Sequence, residues 1–531
     1  MPLVRVTPEN AAGDETARAW RAAAWRNERV NAQFTLWSRA AIPQLRLSAT
    51  ALRSDTGAEI PATALNARFV RYVWASVDNR YGRIPGEAVG DILDTAAELD
   101  LPAGGFRPVW LTVTVPADAA PGHYHGTLTA TGQGGRAVGF PLSLEVLPAT
   151  LPDPGNWTFF LDLWQHPWAA ARYHGVTPFS PEHYALLEPL YRELASAGQK
   201  VITTTITERP WNQQTYDAYH SMITRARNPD DTWTFDYTLF DHYVAFAQHC
   251  GLGPQIHCYT MAPWGNLVQY TDAATGDTIT ATLKAGTPEY EAYWAPFLAD
   301  FQRHLLKKGW AARTHIALDE RSPEELRATI ATLKKHAPLL KIAMANNKAP
   351  SAFKGISMDN YSQALQRIDD GFLAEIAPRQ ASGAITTFYV CVTPPRPNTF
   401  TTSPCAEQVW LGYYAAAHRL DGILRWSYAH WPREPLWDSS FRPENWGAGD
   451  TFLVYPGPRS SVRWELFRDG IEEAEKIRLL RAAPDNSALA ALEKTLSEFT
   501  YKKGSTQSAA DLADLVDRAR AAVETATRAS P

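Results

Sequence analysis

Two adjacent carboxylates, Asp319 and Glu320, close the run His315-Ile316-Ala317-Leu318-Asp319-Glu320. A pair of carboxyls is the basic equipment for cleaving a glycosidic bond, with one protonating the leaving oxygen and the other stabilising the cationic centre or helping it form. A helix start follows at once: Ser322 can cap, Pro323 suits the first turn, and Glu325 stands where a capping box requires it. The pair therefore sits where an apolar strand ends, which in a (β/α)8 barrel is the rim on which the active site is built. The plainer reading is that acidic residues precede a helix because its dipole favours negative charge. The rest of the chain decides between the two.

Neighbours on one strand can scarcely bracket an anomeric carbon. Retaining enzymes place two carboxyls about 5–5.5 Å apart across the bond, and inverting ones about 6.5–9.5 Å. Adjacent carboxylates instead suit a substrate-assisted route, in which the 2-acetamido oxygen of the sugar attacks and forms an oxazoline-type intermediate. Glu320 would then be the general acid and later the base, while Asp319 accepts a hydrogen bond from the acetamide N–H. Two like charges this close should raise one pKa, and the expectation is a protonated Glu320 near neutral pH.

The elements that must position this pair show as a change of rhythm along the chain. Segments 30–37, 45–52, 69–75, 109–115, 123–131 and 138–146 read as short strands separated by turns, with no helical period between them, and predict a β-sandwich over 1–150. Beyond the Pro-rich stretch 148–154, strands are expected at 159–164, 200–206, 254–259, 315–320, 341–345, 355–361, 384–392 and 422–431. Helices are expected at 181–197, 240–250, 288–308 and 404–420, several ended by glycine. Eight alternations favour a (β/α)8 TIM barrel over 151–440, with a fifth unit too short for a full crossover helix. Residues 441–531 read as a small, mainly helical C-terminal appendage with helices near 462–480 and 509–525.

At the strand ends the sequence offers Asp162, Trp164 and His166; Trp211; Tyr259 and Trp264; Asp359 and Tyr361; Tyr389; and Trp426, Tyr428 and Trp431 as substrate-binding candidates. Carboxylates and aromatics dominate. The chain has 19 Trp, 21 Tyr and 20 Phe, and indoles beside polar loops are what sugar rings stack on, because one face of a sugar is apolar while its edge hydroxyls need hydrogen bonds. No nucleophile elbow or phosphate-cradling glycine motif is present. Asp162 and His166 alone do not make a metal site, and no metal or other cofactor is expected.

A formal net charge of −5 without a basic cluster argues against nucleic acid as a partner. The four cysteines, Cys250, Cys258, Cys391 and Cys405, form no CxxC pair. Neither a secretory leader nor a membrane-length apolar run is evident, so the chain is expected to be cytoplasmic, or secreted or periplasmic with its leader removed.

Several runs also bear a family resemblance. Trp25-Arg26-Asn27-Glu28-Arg29-Val30-Asn31-Ala32-Gln33, Leu161-Asp162-Leu163-Trp164-Gln165-His166-Pro167-Trp168, the Asp319-Glu320 pair, Arg425-Trp426-Ser427-Tyr428 and Phe467-Arg468-Asp469-Gly470-Ile471-Glu472 resemble glycoside hydrolase family 123 in their order along nearly the whole chain. The resemblance implies a β-sandwich before a barrel, and that Asp319 and Glu320 match the catalytic Asp-Glu pair of β-N-acetylgalactosaminidases working by acetamido participation. The expected partner is a glycan or glycoconjugate ending in β-linked N-acetylgalactosamine. Alternatives are a β-hexosaminidase preferring N-acetylglucosamine or another glycan, a non-catalytic carbohydrate-binding protein, and a two-carboxylate glycosidase pairing Glu320 with Asp162 or Asp359. Asp162, Asp359 and Trp211 are candidates for reading the sugar's 4-hydroxyl, and Tyr361 or Tyr389 for holding the acetamide oxygen. The sandwich is expected to be a structural support.

Overall fold

A computed structural model describes residues 2–5, 19–79, 82–212, 214–441, 446–457, 459–483 and 486–530. The N-terminal part is a sandwich of two sheets. Arg29–Ser38, Gly105–Thr114, Leu65–Asn79 and Gly82–Leu93 pair antiparallel in that order, and the facing sheet is built around Ile42–Ala49, Gly122–Thr131 and Ala137–Thr150. Alternation along Arg29–Ser38 sends Val30, Ala32, Phe34 and Leu36 inward against Val109, Leu111, Leu128 and Leu144. Trp20–Arg26, Gly82–Leu93 and Glu98–Leu101 are strands that the sequence reading left unassigned. The first of them joins Ala137–Thr150 in parallel.

The second part is a parallel eight-stranded barrel: β1 Phe160–Leu163, β2 Val201–Thr205, β3 Gln255–Tyr259, β4 Thr314–Leu318, β5 Lys341–Asn346, β6 Asn360–Ala364, β7 Ile385–Tyr389 and β8 Gly422–Arg425. Their order is β1-β8-β7-β6-β5-β4-β3-β2, a nearly closed ring whose last seam lies between β1 and β2. Two glutamine side chains stitch that seam. Gln199 accepts from the Leu163 amide at 3.0 Å and donates to the carbonyls of Leu163 and Val201 at 3.1 and 2.7 Å. Gln165 accepts from the Thr203 amide at 2.8 Å. Backbone groups that would otherwise be orphaned in the interior are satisfied this way.

Between the strands run α1 Pro167–His174, α2 Pro181–Ala195, α3 Thr238–His249, α4 Pro288–Lys308, α5 Pro323–His336, α6 Asp370–Ala381 and α7 Cys405–Ala417, with only a short 3-10 turn, Pro350–Phe353, after β5. Side-chain caps from Ser180, Thr287, Ser322 and Asp369 start four of the helices. After β8 comes α8, Val462–Ala482, which packs along α7 so closely that a Cβ added at Gly412 would lie 1.9 Å from the Gly470 carbonyl oxygen. Ala509–Arg528 then lays Leu512, Leu515, Val516 and Val523 into the same core.

The sandwich and the barrel share a buried ionic layer on α8. Glu465 sits 2.6 Å from Arg29 and 3.0 Å from Arg68, Lys476 pairs with Glu28 at 2.7 Å, and Asn31 donates to Asp469 at 2.9 Å. These contacts explain the two runs around Arg29 and Asp469 noted in the sequence. Among the described residues no helix is long and apolar enough to cross a membrane.

Candidate active site

A cavity of about 560 Å³ opens at the C-terminal ends of the barrel strands. β4 stops at Leu318, so Asp319 and Glu320 are the first residues on the rim, and both line the cavity. Ser322 accepts from the Glu325 amide at 3.2 Å, the cap read from the sequence, and the turn so formed holds the pair beneath α5. The Trp264 indole N–H donates to Asp319 Oδ2 at 3.2 Å. Glu320 accepts on both oxygens, from the Tyr389 hydroxyl at Oε1 and from Asn347 Nδ2 at 3.2 Å at Oε2. Arg321 turns away, with its guanidinium over the Trp264 ring, 5.1 Å from the centroid, and donating to the Ala262 carbonyl.

Electrostatics at the pair act strongly on Asp319. The Asp319 carboxyl is pushed up to about 6 by burial and then by the charge of Glu320, against which the backbone and Trp264 hydrogen bonds pull. Charge repulsion alone cannot choose between neighbours; burial adds to it at Asp319.

Of the candidates read from the sequence, Trp164, Trp211, Trp264, Tyr389 and Trp426 line the cavity. Trp164 and Trp211 stack at 4.8 Å, and Trp426 meets Trp446 edge-on at 5.7 Å, so apolar ring faces wall the space opposite the carboxylates. The other candidates lie elsewhere. Tyr259 is buried behind Trp164 and Trp211, 4.5 and 4.9 Å from their rings. His166 stacks on Tyr219 at 3.8 Å and holds the Asp217 carbonyl at 2.9 Å; burial pushes its pKa down to about 3. Asp162 points into the barrel interior, 3.6 Å from His257, and burial raises its pKa to about 8.

Four further candidates are displaced by register or by a bend. β6 begins at Asn360 rather than at 355, so Asp359 stands at the strand's N-terminal end, where its carboxylate accepts from the Ile342 amide at 2.9 Å. Tyr361 is buried and donates its hydroxyl to the Lys348 carbonyl. β8 ends at Arg425 and the chain then turns outward, so Tyr428 donates to the Leu190 carbonyl at 3.2 Å and Trp431 to that of Val454 at 2.7 Å. Neither Asp162 nor Asp359 is among the cavity-lining residues, which removes the geometric basis for a two-carboxylate pairing of either with Glu320.

The sequence reading missed Asn347, Gln366, Arg367, Trp446 and Asp450, all of which line the cavity. Asn347 follows the end of β5 directly and was accessible to the strand-end rule that found Glu320. Asp450 and Trp446 belong to the connection after β8, where no local pattern marks a return to the rim.

Comparison with known proteins identifies the family of the chain. The profile of the glycoside hydrolase 123 catalytic domain matches residues 164–480, and that of the glycoside hydrolase 123 N-terminal domain matches 5–132. Among solved structures, a family 123 glycoside hydrolase from Clostridium perfringens, studied for glycolipid glycan hydrolysis, superposes with a TM-score of 0.88 at 25% identity, covering 96% of this chain and 94% of that one. A GH5 xyloglucanase from Bacteroides ovatus aligns over 86% of this chain and 98% of its own at 8% identity, but its TM-score of 0.31 is too low to carry any argument. No curated protein matches the chain. Family matches covering both halves, a like structure over nearly the full length and a carboxylate pair on the barrel rim agree: the chain belongs to glycoside hydrolase family 123 and is a glycosidase.

Proposed function

We propose that this glycosidase is an exo-acting, retaining β-N-acetylgalactosaminidase that works by acetamido participation. The observation that carries the reading is the arrangement of the pair: Asp319 and Glu320 are consecutive, both line one aromatic-walled cavity, and each is held by separate donors. Glu320 protonates the leaving oxygen while the acetamide oxygen attacks the anomeric carbon, breaking the glycosidic C–O bond and forming the oxazoline-type ring. Asp319, ionised above about pH 6, accepts the acetamide N–H and offsets the positive charge that grows there. Glu320, now a carboxylate, takes a proton from water as that water opens the ring with net retention. Tyr389 and Asn347 keep Glu320 aimed through both steps.

The hydrolysis of glycolipid glycans by the Clostridium perfringens relative supports a glycolipid headgroup as the natural substrate class. Release of nitrophenol from the β-N-acetylgalactosaminide, the β-N-acetylglucosaminide and the unacetylated β-galactoside tests the reading in wild type and Glu320→Gln. Selective cleavage of the first, lost in the variant and blocked by a thiazoline mimic of the intermediate, is the expected result. Cleavage of the plain galactoside overturns the acetamido mechanism, and preference for the glucosaminide moves the specificity to a hexosaminidase.

A further inference from the structure

Around the ring of eight strands, β4 and β8 stand opposite one another. The catalytic pair comes from the end of β4, and the facing wall is made by Trp426, just past β8, with Trp446 and Asp450 from the connection that follows. Asp450 is fully buried and yet lines the cavity. Its Oδ1 accepts from Arg425 Nη2 at 2.8 Å and from the Trp426 indole at 3.4 Å. Its Oδ2 has no hydrogen-bond partner among the described residues.

A carboxylate serving only to neutralise Arg425 would need no more than Oδ1. Leaving the second oxygen of a buried carboxylate unsatisfied is costly, and such groups in folded proteins usually have a missing partner. Arg425 is itself buried and fixed: Nη2 also donates to the Asp450 carbonyl at 2.7 Å and Nη1 to Asn398 Oδ1 at 3.1 Å. The acceptor is thus preorganised beside two indoles that suit the apolar face of a sugar.

Resting on the reading above, in which the acetamido and anomeric side of the terminal sugar faces Asp319 and Glu320, we propose that Asp450 Oδ2 accepts a hydroxyl from the opposite C3–C4 edge of that ring. It is then a specificity-determining residue, because a carboxylate fixed on one side of the ring distinguishes an axial from an equatorial hydroxyl by position. Arg425 and Trp426 are positioning residues that orient it.

The test is a cycle of sugar and protein deletions. Wild type and Asp450→Asn are assayed on nitrophenyl β-N-acetylgalactosaminide and on its 3-deoxy and 4-deoxy forms, and thermal melts confirm that each protein is folded. Wild type should lose roughly 10²-fold in kcat/KM on one deoxy sugar, as expected when a charged acceptor is left without its hydroxyl. Asp450→Asn should lose a similar factor on the parent sugar and nothing further on that deoxy form. A variant that keeps the full wild-type penalty at both positions overturns the proposal. Because Asp450→Asn strips a buried guanidinium of its counter-charge, the double variant Arg425→Met with Asp450→Asn is run beside it and judged by the same criterion. Should wild type cleave a different β-glycoside instead, the functional reading fails, and deoxy forms of that sugar still decide the role of Asp450.

Discussion

Asp319 at the rim and Glu465 on α8 are both carboxyls withdrawn from water, and they titrate in opposite directions. Burial and a neighbouring carboxylate push Asp319 up to about 6. Burial acts on Glu465 in the same sense, but Arg29 and Arg68 more than offset it and hold the group well below the usual carboxylate range. Partners decide the sign. At the sandwich–barrel interface Glu465 is matched by Arg29 and Arg68, so its ionisation supports the fold. At the rim the acids are clustered and, among the described residues, no cation is in hydrogen-bond contact with them, so ionisation of Asp319 strains the fold and leaves charge available for chemistry.

The largest effect expected on the rim side is functional. Glu320→Gln should lower kcat by about 10²–10⁴, the range supplied by a positioned acid or base, with little change in melting temperature. A melting shift as large as the kinetic loss would show that Glu320 holds the structure instead. On the interface side the balance should invert: Glu465→Gln removes the fully buried carboxylate that Arg29 and Arg68 share, leaves Arg29 only Glu193 at 3.5 Å, and should cost about 3 kcal/mol of stability by denaturant titration. The contribution of Glu465 is present above its unfolded pKa and is lost as pH falls through the depressed folded value, so wild type and variant should converge in acid.

Asp319→Asn sharpens the contrast because both its consequences have opposite sign. Loss of charge facing the acetamide should lower kcat by about 10²–10³. Stability should rise: with a folded pKa above the unfolded one, the native state binds the extra proton, so wild-type stability falls as pH climbs from about 4 to about 6 and stays lower beyond. The variant escapes that loss and should gain up to about 3 kcal/mol above pH 6 and nothing below pH 4. Equal melting curves for the two proteins at pH 7 would refute the strain. In wild type the same group should give the acid limb of kcat/KM, with activity falling as pH drops through about 6. Trp264→Phe is the mildest change. It removes the indole hydrogen bond that stabilises the Asp319 anion, and should move the acid limb upward by a few tenths of a pH unit.

Much of the positioning of the pair was written locally. Ser322, Pro323 and Glu325 mark the start of α5, the apolar run before Asp319 marks β4, and the two together put the carboxylates on a rim. The same logic failed at β6, because its residues Asn-Tyr-Ser-Gln-Ala are polar and yet buried, while the more apolar stretch ahead of them is not a strand. A barrel interior that takes Ser362 and Gln363 defeats a hydrophobic pattern, and Asp359 was carried to the wrong end. At β8 the apolar run continues past Arg425, but the chain bends there, and Tyr428 and Trp431 anchor to carbonyls of Leu190 and Val454.

By itself the sequence determined the architecture, the place of the Asp319-Glu320 pair on the rim and the family, because caps, turns and strand periodicity are encoded over a few neighbouring residues and the family runs keep their order. The tertiary structure alone decided how far burial raises Asp319, which aromatics face the cavity and that Asp450 stands across from Glu320. Those facts depend on the closure of eight strands into a ring, which brings together residues more than a hundred positions apart and sets how much water each one keeps.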